Sequence, residues 1–285
     1  MRIAIVTDST AYIPQEVADQ KDIYVLPLSV IFGQEVFSET TLSPEQFFKK
    51  IETEGVLPTS SQPSPGIVHD LFERLAADYD AIISIHLSSK ISGTYQTAVS
   101  IAEELQHRIP IYVIDSGISC AVQARPVFLA AELAKHGFTP EEIVERCYQL
   151  LENSDAYFIV DDLSHLQRGG RLSAGAAMLG SLLKIKPVLK FENKEIVVAE
   201  KIRTQAKAQK FVENLATQAI SNDGSGYDIA IIHADCEEKG LEWVQTTKAL
   251  FPKATVHLEY FGPVVATHLG KGALGMTWAK VDETC

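Results

Sequence analysis

The sequence predicts an α/β protein of two domains, an N-terminal one built on a parallel sheet and a C-terminal one of mixed α+β type. Three observations carry that expectation. The chain has 285 residues, more than one core of ordinary size takes. In the first half, apolar runs rich in β-branched residues (RIAIVTD, AIISIHL, IPIYVID) alternate with amphipathic segments. That is the pattern of strands buried on both faces by crossover helices. In the second half the alternation breaks, and KPVLKFENKEIVVAEKI reads as a hairpin about Glu192-Asn193-Lys194. The boundary is expected near Asn153-Ser154, giving domains 1–154 and 155–285.

RIAIVTD is the first strand. Thr7-Asp8-Ser9-Thr10 follows it, a run that either stitches its loop through side-chain-to-backbone bonds or lets Asp8 hold a cation or substrate. DIYVLPLSVIF and GQEVFSE are extended, with a turn at Gly33. Ser43, Pro44 and Gln46 supply an N-cap, a first-turn proline and a capping box for a helix ending near Gly55. Ser64-Pro65 opens the next helix, with Ile67, Val68, Leu71, Phe72 and Leu75 on one stripe. AIISIHL is a central strand, SGTYQTAVSIAEELQ a helix with Ser92 as N-cap, and IPIYVID another strand. Helices at about 117–136 and 140–152 complete the first domain. The second domain runs through the strand AYFIVDDL, the short helix LSHLQRGG and the small-residue helix SAGAAMLGSLLK. After the hairpin come a helix at 204–221, the strand DIAIIHAD, a helix at 237–251 and two last strands.

Composition narrows the function. Apolar residues make up 46% and charged residues 22%, which suits a folded protein and not a disordered one. A net charge of −12 argues against nucleic acid as a partner and against a broad anionic-membrane footprint. MRIAIVTDST turns polar too soon for a signal peptide, and no apolar run approaches the roughly 20 residues of a membrane span, so a cytoplasmic location is expected. Cys120, Cys147, Cys236 and Cys285 lie far apart without a C-x-x-C, which reads as scattered reduced thiols. No ligand cluster at metal-binding spacing is present, so neither metal nor cofactor is expected. Gly270-Lys271-Gly272-Ala273-Leu274-Gly275 matches G-x-G-x-x-G in letters, but too little chain follows for a nucleotide-binding βαβ unit. Neither a Walker A motif nor the G-x-S-x-G elbow of hydrolases occurs.

What remains is hydroxyls. PTSSQPSPG at 58–66 and SSKISGTYQT at 88–97 concentrate Ser60, Ser61, Ser88, Ser89, Ser92 and Thr94 in two loops that run into helices. Such a set is a poor acid–base pair but a good donor set for an anion, aided by helix N-terminal amides. The structural alternative is capping alone. His268, between a strand and a glycine turn, is either a solvated or structural loop histidine or a third donor. Leu166-Gln167-Arg168-Gly169-Gly170-Arg171 is either a helix stop or a small basic spot for a partner.

Taken in order, TDST at 7–10, TSSQPSPG at 59–66, SGTYQTA at 92–98, Asp115-Ser116, LQRGGRLS at 166–173, IKPVL at 185–189 and FGPVVATHLGKGALG at 261–275 resemble the DegV family. These are fatty-acid-binding proteins that serve as carrier subunits of bacterial fatty acid kinase. The resemblance spans nearly the whole chain and implies a DegV-like fold with a lipid tunnel between the two domains. It implies that Ser60 or Ser61, Ser92 and His268 hold the carboxylate of a long-chain fatty acid, of the palmitate or oleate class. It further implies a partner, the ATP-binding subunit of the kinase, with transient membrane contact during loading. Arg168 and Arg171 are the expected docking residues. Ser60 stands where the family commonly has Thr, and Lys271 where it usually has Pro, a change expected to loosen the last loop. On this reading the chain is a carrier without catalytic residues of its own. The rival readings are a stand-alone kinase or hydrolase acting on a small anion, and a lipid-sensing interaction protein.

Overall fold

The computed structural model describes residues 1–161, 163–173 and 185–281. The expected small-residue helix SAGAAMLGSLLK falls almost wholly outside them.

The N-terminal domain is a four-stranded parallel sheet of β1 (Ile3–Asp8), β2 (Ile23–Leu26), β6 (Ala81–His86) and β7 (Ile111–Asp115), in the order β2-β1-β6-β7. Side chains alternate across it as strand geometry requires. Ile3 and Ile5 face α1 (Gln15–Lys21), α5 (Cys120–Lys135) and α6 (Pro140–Glu152), whereas Ala4 and Val6 face α3 (Pro65–Leu75) and α4 (Thr94–Leu105). Helix starts follow local chemistry. Ser43 and Thr139 form full capping boxes for α2 (Pro44–Glu54) and α6. Ser64 caps α3 through the Ile67 N–H.

DIYVLPLSVIF does not stay in one sheet. It divides at Pro27 into β2 and β3 (Ser29–Phe32), since Pro has no N–H to continue the ladder. β3 pairs antiparallel with β4 (Glu35–Ser38) and with a three-residue strand β5 (Thr59–Ser61), in a small sheet the sequence reading did not anticipate.

The C-terminal domain is a six-stranded mixed sheet in the order β10-β9-β8-β13-β11-β12. Its strands are β8 (Ser154–Ile159), β9 (Lys186–Glu192), β10 (Glu195–Ile202), β11 (Tyr227–His233), β12 (Thr255–Tyr260) and β13 (Leu274–Lys280). β9 and β10 form the expected hairpin, turning through Asn193 and Lys194, both at positive φ. One face packs on α8 (Gln205–Ala219) and α9 (Glu237–Leu250) through Ile159, Val188, Ile231 and Trp243. The other face meets the small sheet and α2: Val30, Phe32 and Phe47 share a core with Phe158, Val160, Ile232 and Phe261. α7 (Ser164–Gly169) and α10 (Pro263–Leu269) border that junction.

Candidate functional site

The parallel sheet reverses its strand order between β1 and β6, and the crevice outside such strand C-termini is where open α/β sheets take ligands. Here that crevice is roofed by the second domain. A cavity with about 770 Å³ of space between atoms, counted to its mouth, runs between the domains. Most of its wall is apolar, with Leu28, Leu87, Phe158, Phe191, Phe261 and Val264 among the lining side chains. Its polar residues include Ser60, Ser61, Gln62, Ser92, Arg171 and His268. The polarity is confined to a few groups, as is usual of ligand pockets.

The residues named from sequence sit as follows. Ser60 and Ser61 lie in β5, not in a loop; Ser60 stands opposite Val30 in the ladder. Ser60 Oγ is 2.7 Å from His268 Nε2. His268 is not in a loop either, but in the last turn of α10. Burial, with Arg171, His165 and Arg168 nearby, pushes its imidazole down to about 4, so the ring is neutral at neutral pH. Its Nδ1 is buried without a hydrogen-bond partner. The ring lies flush on Gly169, where an added Cβ would come within 2.3 Å of Nδ1. The bare backbone of LQRGG therefore admits this histidine. Gly170, at φ +67, is the left-handed helix stop.

Ser92 is one residue short of the cap position it was expected to fill. Gly93 is the N-cap of α4, and Ser92 Oγ lies 2.9 Å from Thr94 Oγ1 and accepts from the Thr94 N–H at 3.3 Å. Ser92 still faces the cavity. Ser88 and Ser89 have structural roles. Ser88 Oγ donates to the Lys194 carbonyl at 2.6 Å, and the Ser89 N–H donates to Asp115. Lys194 Nζ also meets Asp115 at 2.8 Å, so both bonds tie the β9–β10 hairpin to the N-terminal domain.

The two arginines part company. Arg171 is half-buried, lines the cavity, and donates to the carbonyls of Ile91 (3.1 Å) and Gly169. Arg168 is exposed, with one guanidinium nitrogen 3.2 Å from His165 Nδ1. Lys271 does not loosen its loop, because Nζ binds Glu52 and Asp235 at 2.7 Å each and so joins the two domains. The glycine run around it leads from α10 into β13, a strand and not the helix a dinucleotide fingerprint requires.

Asp8 belongs to a buried network. Its carboxylate takes the Thr10 N–H and hydroxyl and the Leu87 N–H, and lies 3.1 Å from His86 Nδ1. His86 Nε2 lies 2.7 Å from Ser84 Oγ. Burial alone would raise the Asp8 pKa, but the bond and charge of His86, with Thr10 and Leu87, hold it below the ordinary range. The linkage has the order of a nucleophilic triad, yet Asp8, Ser84 and His86 are all fully buried and none of them lines the cavity. Among the described residues no cluster of His, Cys, Asp or Glu could hold a metal ion, and Cys120, Cys147 and Cys236 are free thiols.

With this geometry in place, comparison decides the family. The sequence model of the DegV family, described as "Uncharacterised protein, DegV family", matches residues 2–281. The chain belongs to the DegV family. It is 45% identical to Protein DegV of Bacillus subtilis over 280 residues, 98% of this chain and 99% of that one. It is 46% identical to a DegV domain-containing protein of Listeria monocytogenes over 280 residues, covering 98% of each. The crystal structure of the Bacillus subtilis DegV, described as a fatty acid binding protein, superposes with a TM-score of 0.92 at 44% identity, covering 98% of this chain and 99% of that one. A fatty acid binding DegV family protein of Streptococcus agalactiae gives 0.89 at 32% identity, covering 99% and 100%. The two-domain DegV fold expected from the motifs is thus the fold observed.

Proposed function

We propose that this DegV-family chain binds one long-chain fatty acid in the interdomain cavity and presents its carboxylate to the ATP-binding subunit of a fatty acid kinase. The observation that carries the reading is the interdomain cavity with an apolar body and, among its few polar groups, Ser60, Ser92, His268 and Arg171. The fatty acid binding described for the Bacillus subtilis and Streptococcus agalactiae proteins supports it. Burying a sixteen-carbon tail at about 0.8 kcal/mol per methylene contributes on the order of 10 kcal/mol, enough to compete with a bilayer. At the head, Ser60 and Ser92 offer hydroxyls; a neutral His268 that donates from Nε2 to Ser60 Oγ leaves the Ser60 proton for the carboxylate. Arg171 supplies the one full positive charge among the described lining residues. Two of its five N–H groups already donate to carbonyls, which fixes the guanidinium and leaves the others to share a carboxylate with the neutral donors.

No helix among the described residues is long and apolar enough to cross a membrane, which accords with a cytoplasmic carrier that meets the bilayer only to load and unload. Arg168, exposed beside the cavity's polar residues, and Arg171 behind it form the proposed contact for a partner that carries ATP. The decisive measurement is native mass spectrometry and lipid extraction of the purified protein, with about one fatty acid per chain expected. A protein that is empty and also ignores added oleate overturns the reading. Adding a partner kinase and ATP then separates a carrier, which yields acyl phosphate, from a lipid sensor, which does not.

A further inference from the structure

Glu39, in the polar stretch VFSETTLS, is buried at the junction of the two domains, 6% exposed. Its carboxylate accepts the Ser9 hydroxyl at 2.5 Å on one oxygen and the Val264 N–H at 2.9 Å on the other. Tyr12 lies beside it, and the Tyr12 phenol oxygen accepts the Val265 N–H at 3.3 Å. Ser9 is fixed in turn, its Oγ accepting the Leu28 N–H at 2.9 Å. Val264 and Val265 lie in the first turn of α10, the seven-residue helix whose last turn carries His268. Tyr12 reaches this place at some cost. Its backbone is left-handed, at φ +51, which a tyrosine rarely adopts. Its ring also fits only because residue 262 lacks a side chain: a Cβ on Gly262 would come within 2.1 Å of it.

We propose that Glu39 is a positioning residue for head-group capture, holding α10 and with it His268 against the N-terminal domain, where Ser60 waits. This rests on the fatty-acid reading of the cavity. Two donors converge on the carboxylate, one on each oxygen, so its ionised form is the one that satisfies both. Protonation adds a hydrogen that has no free acceptor and turns one donor away. The titratable groups that face it are Asp8 at the end of β1, Tyr12, Cys120 at the start of α5 and Tyr260 at the end of β12, with no Lys or Arg among them. Burial, against the bonds from Ser9 and Val264, raises Glu39 from 4.5 to about 7. Its charge therefore changes within the range where His268, down at about 4, does not.

The experiment compares oleate affinity at pH 8 and pH 6 for the full chain and for Glu39→Gln, with the His268 imidazole followed by NMR without lipid. The lipid's own titration is common to both proteins and cancels in the ratio. The expected result is an affinity loss from pH 8 to pH 6 several-fold larger in the parent than in Glu39→Gln, and a His268 signal that moves over that range only in the parent. Equal pH profiles overturn the proposal, whatever happens to Tm. If Glu39→Gln does not fold, Ser9→Ala replaces it. It removes a donor to the carboxylate and raises the midpoint, and an unmoved midpoint overturns the proposal. A parent chain that binds no oleate at pH 8 removes the fatty-acid reading instead, while the His268 signal still tests the positioning.

Discussion

Ser60 and His268 share one hydrogen bond across the domain junction, so the contributions proposed for them in head-group binding should be coupled. Replacing either with Ala is expected to weaken oleate binding by about 1–3 kcal/mol, and replacing both by less than the sum. Calorimetric titration of the four corners of the cycle measures this, and strict additivity would place the two residues in separate roles. Ser92→Ala is expected to cost a similar amount with Tm unchanged, since Gly93 and not Ser92 is the cap of α4. Glu39 bears on stability with the opposite sign to its proposed role in binding. Its pKa is raised on folding, so its contribution is full below 4.5 and is lost as the pH rises through about 7. At about 1.4 kcal/mol per pH unit, the ionised carboxylate costs the fold on the order of 3 kcal/mol at pH 8. Glu39→Gln should therefore raise Tm at pH 8 and not at pH 4.5, which thermal melts at the two pH values would test. The serines and His268 were legible from their motifs. Glu39 was not, because VFSETTLS is an ordinary exposed-loop composition and its burial is made by partners as far off as Val264.

Elements follow the same division. The strands β1, β6 and β7 and helices α2, α3 and α6 were readable because periodicity and capping residues are local signals. β5 was not readable. Three residues carry no periodicity, and only pairing with β3 makes Thr59–Ser61 a strand. α10 reads from the sequence as a strand running into a glycine turn, for a related reason. Its seven residues are mostly β-branched or small, and tertiary contacts outweigh that low helix propensity. The hairpin of β9 and β10 suggests a measurable consequence. It brings Phe191 and Ile196 to the cavity, and its tip is fastened by the Lys194–Asp115 and Lys194–Ser88 contacts. Lys194→Ala keeps the backbone bond to Ser88 but loses the ion pair, which is half-exposed at the lysine and weak for stability. The expected outcome is faster oleate release in stopped-flow displacement with little change in Tm. An unchanged release rate would mean that lipid leaves by a route that does not pass the hairpin.

At the scale of the whole molecule, the acidic surface makes any basic spot count. The chain carries −12 overall, so Arg168 stands out as a docking charge. Arg168→Ala is expected to leave oleate affinity intact while lowering the rate of acyl-phosphate formation with a partner kinase and flattening its salt dependence. Arg171→Ala, which opens the cavity wall, should affect both. A normal phosphorylation rate in Arg168→Ala would remove that residue from docking. The order of strands in the second sheet has a bearing on biosynthesis. β13, last of the described strands, lies between β8 and β11, in the middle of the sheet. Ser60 and His268, 208 residues apart, depend on that sheet to meet. Translation proceeds from the N-terminus at roughly 5–20 residues per second, and a sheet missing an inner strand cannot close. A ribosome-bound chain that has not yet released residues 274–280 therefore has no cavity, and lipid can be taken up only after synthesis has passed that point.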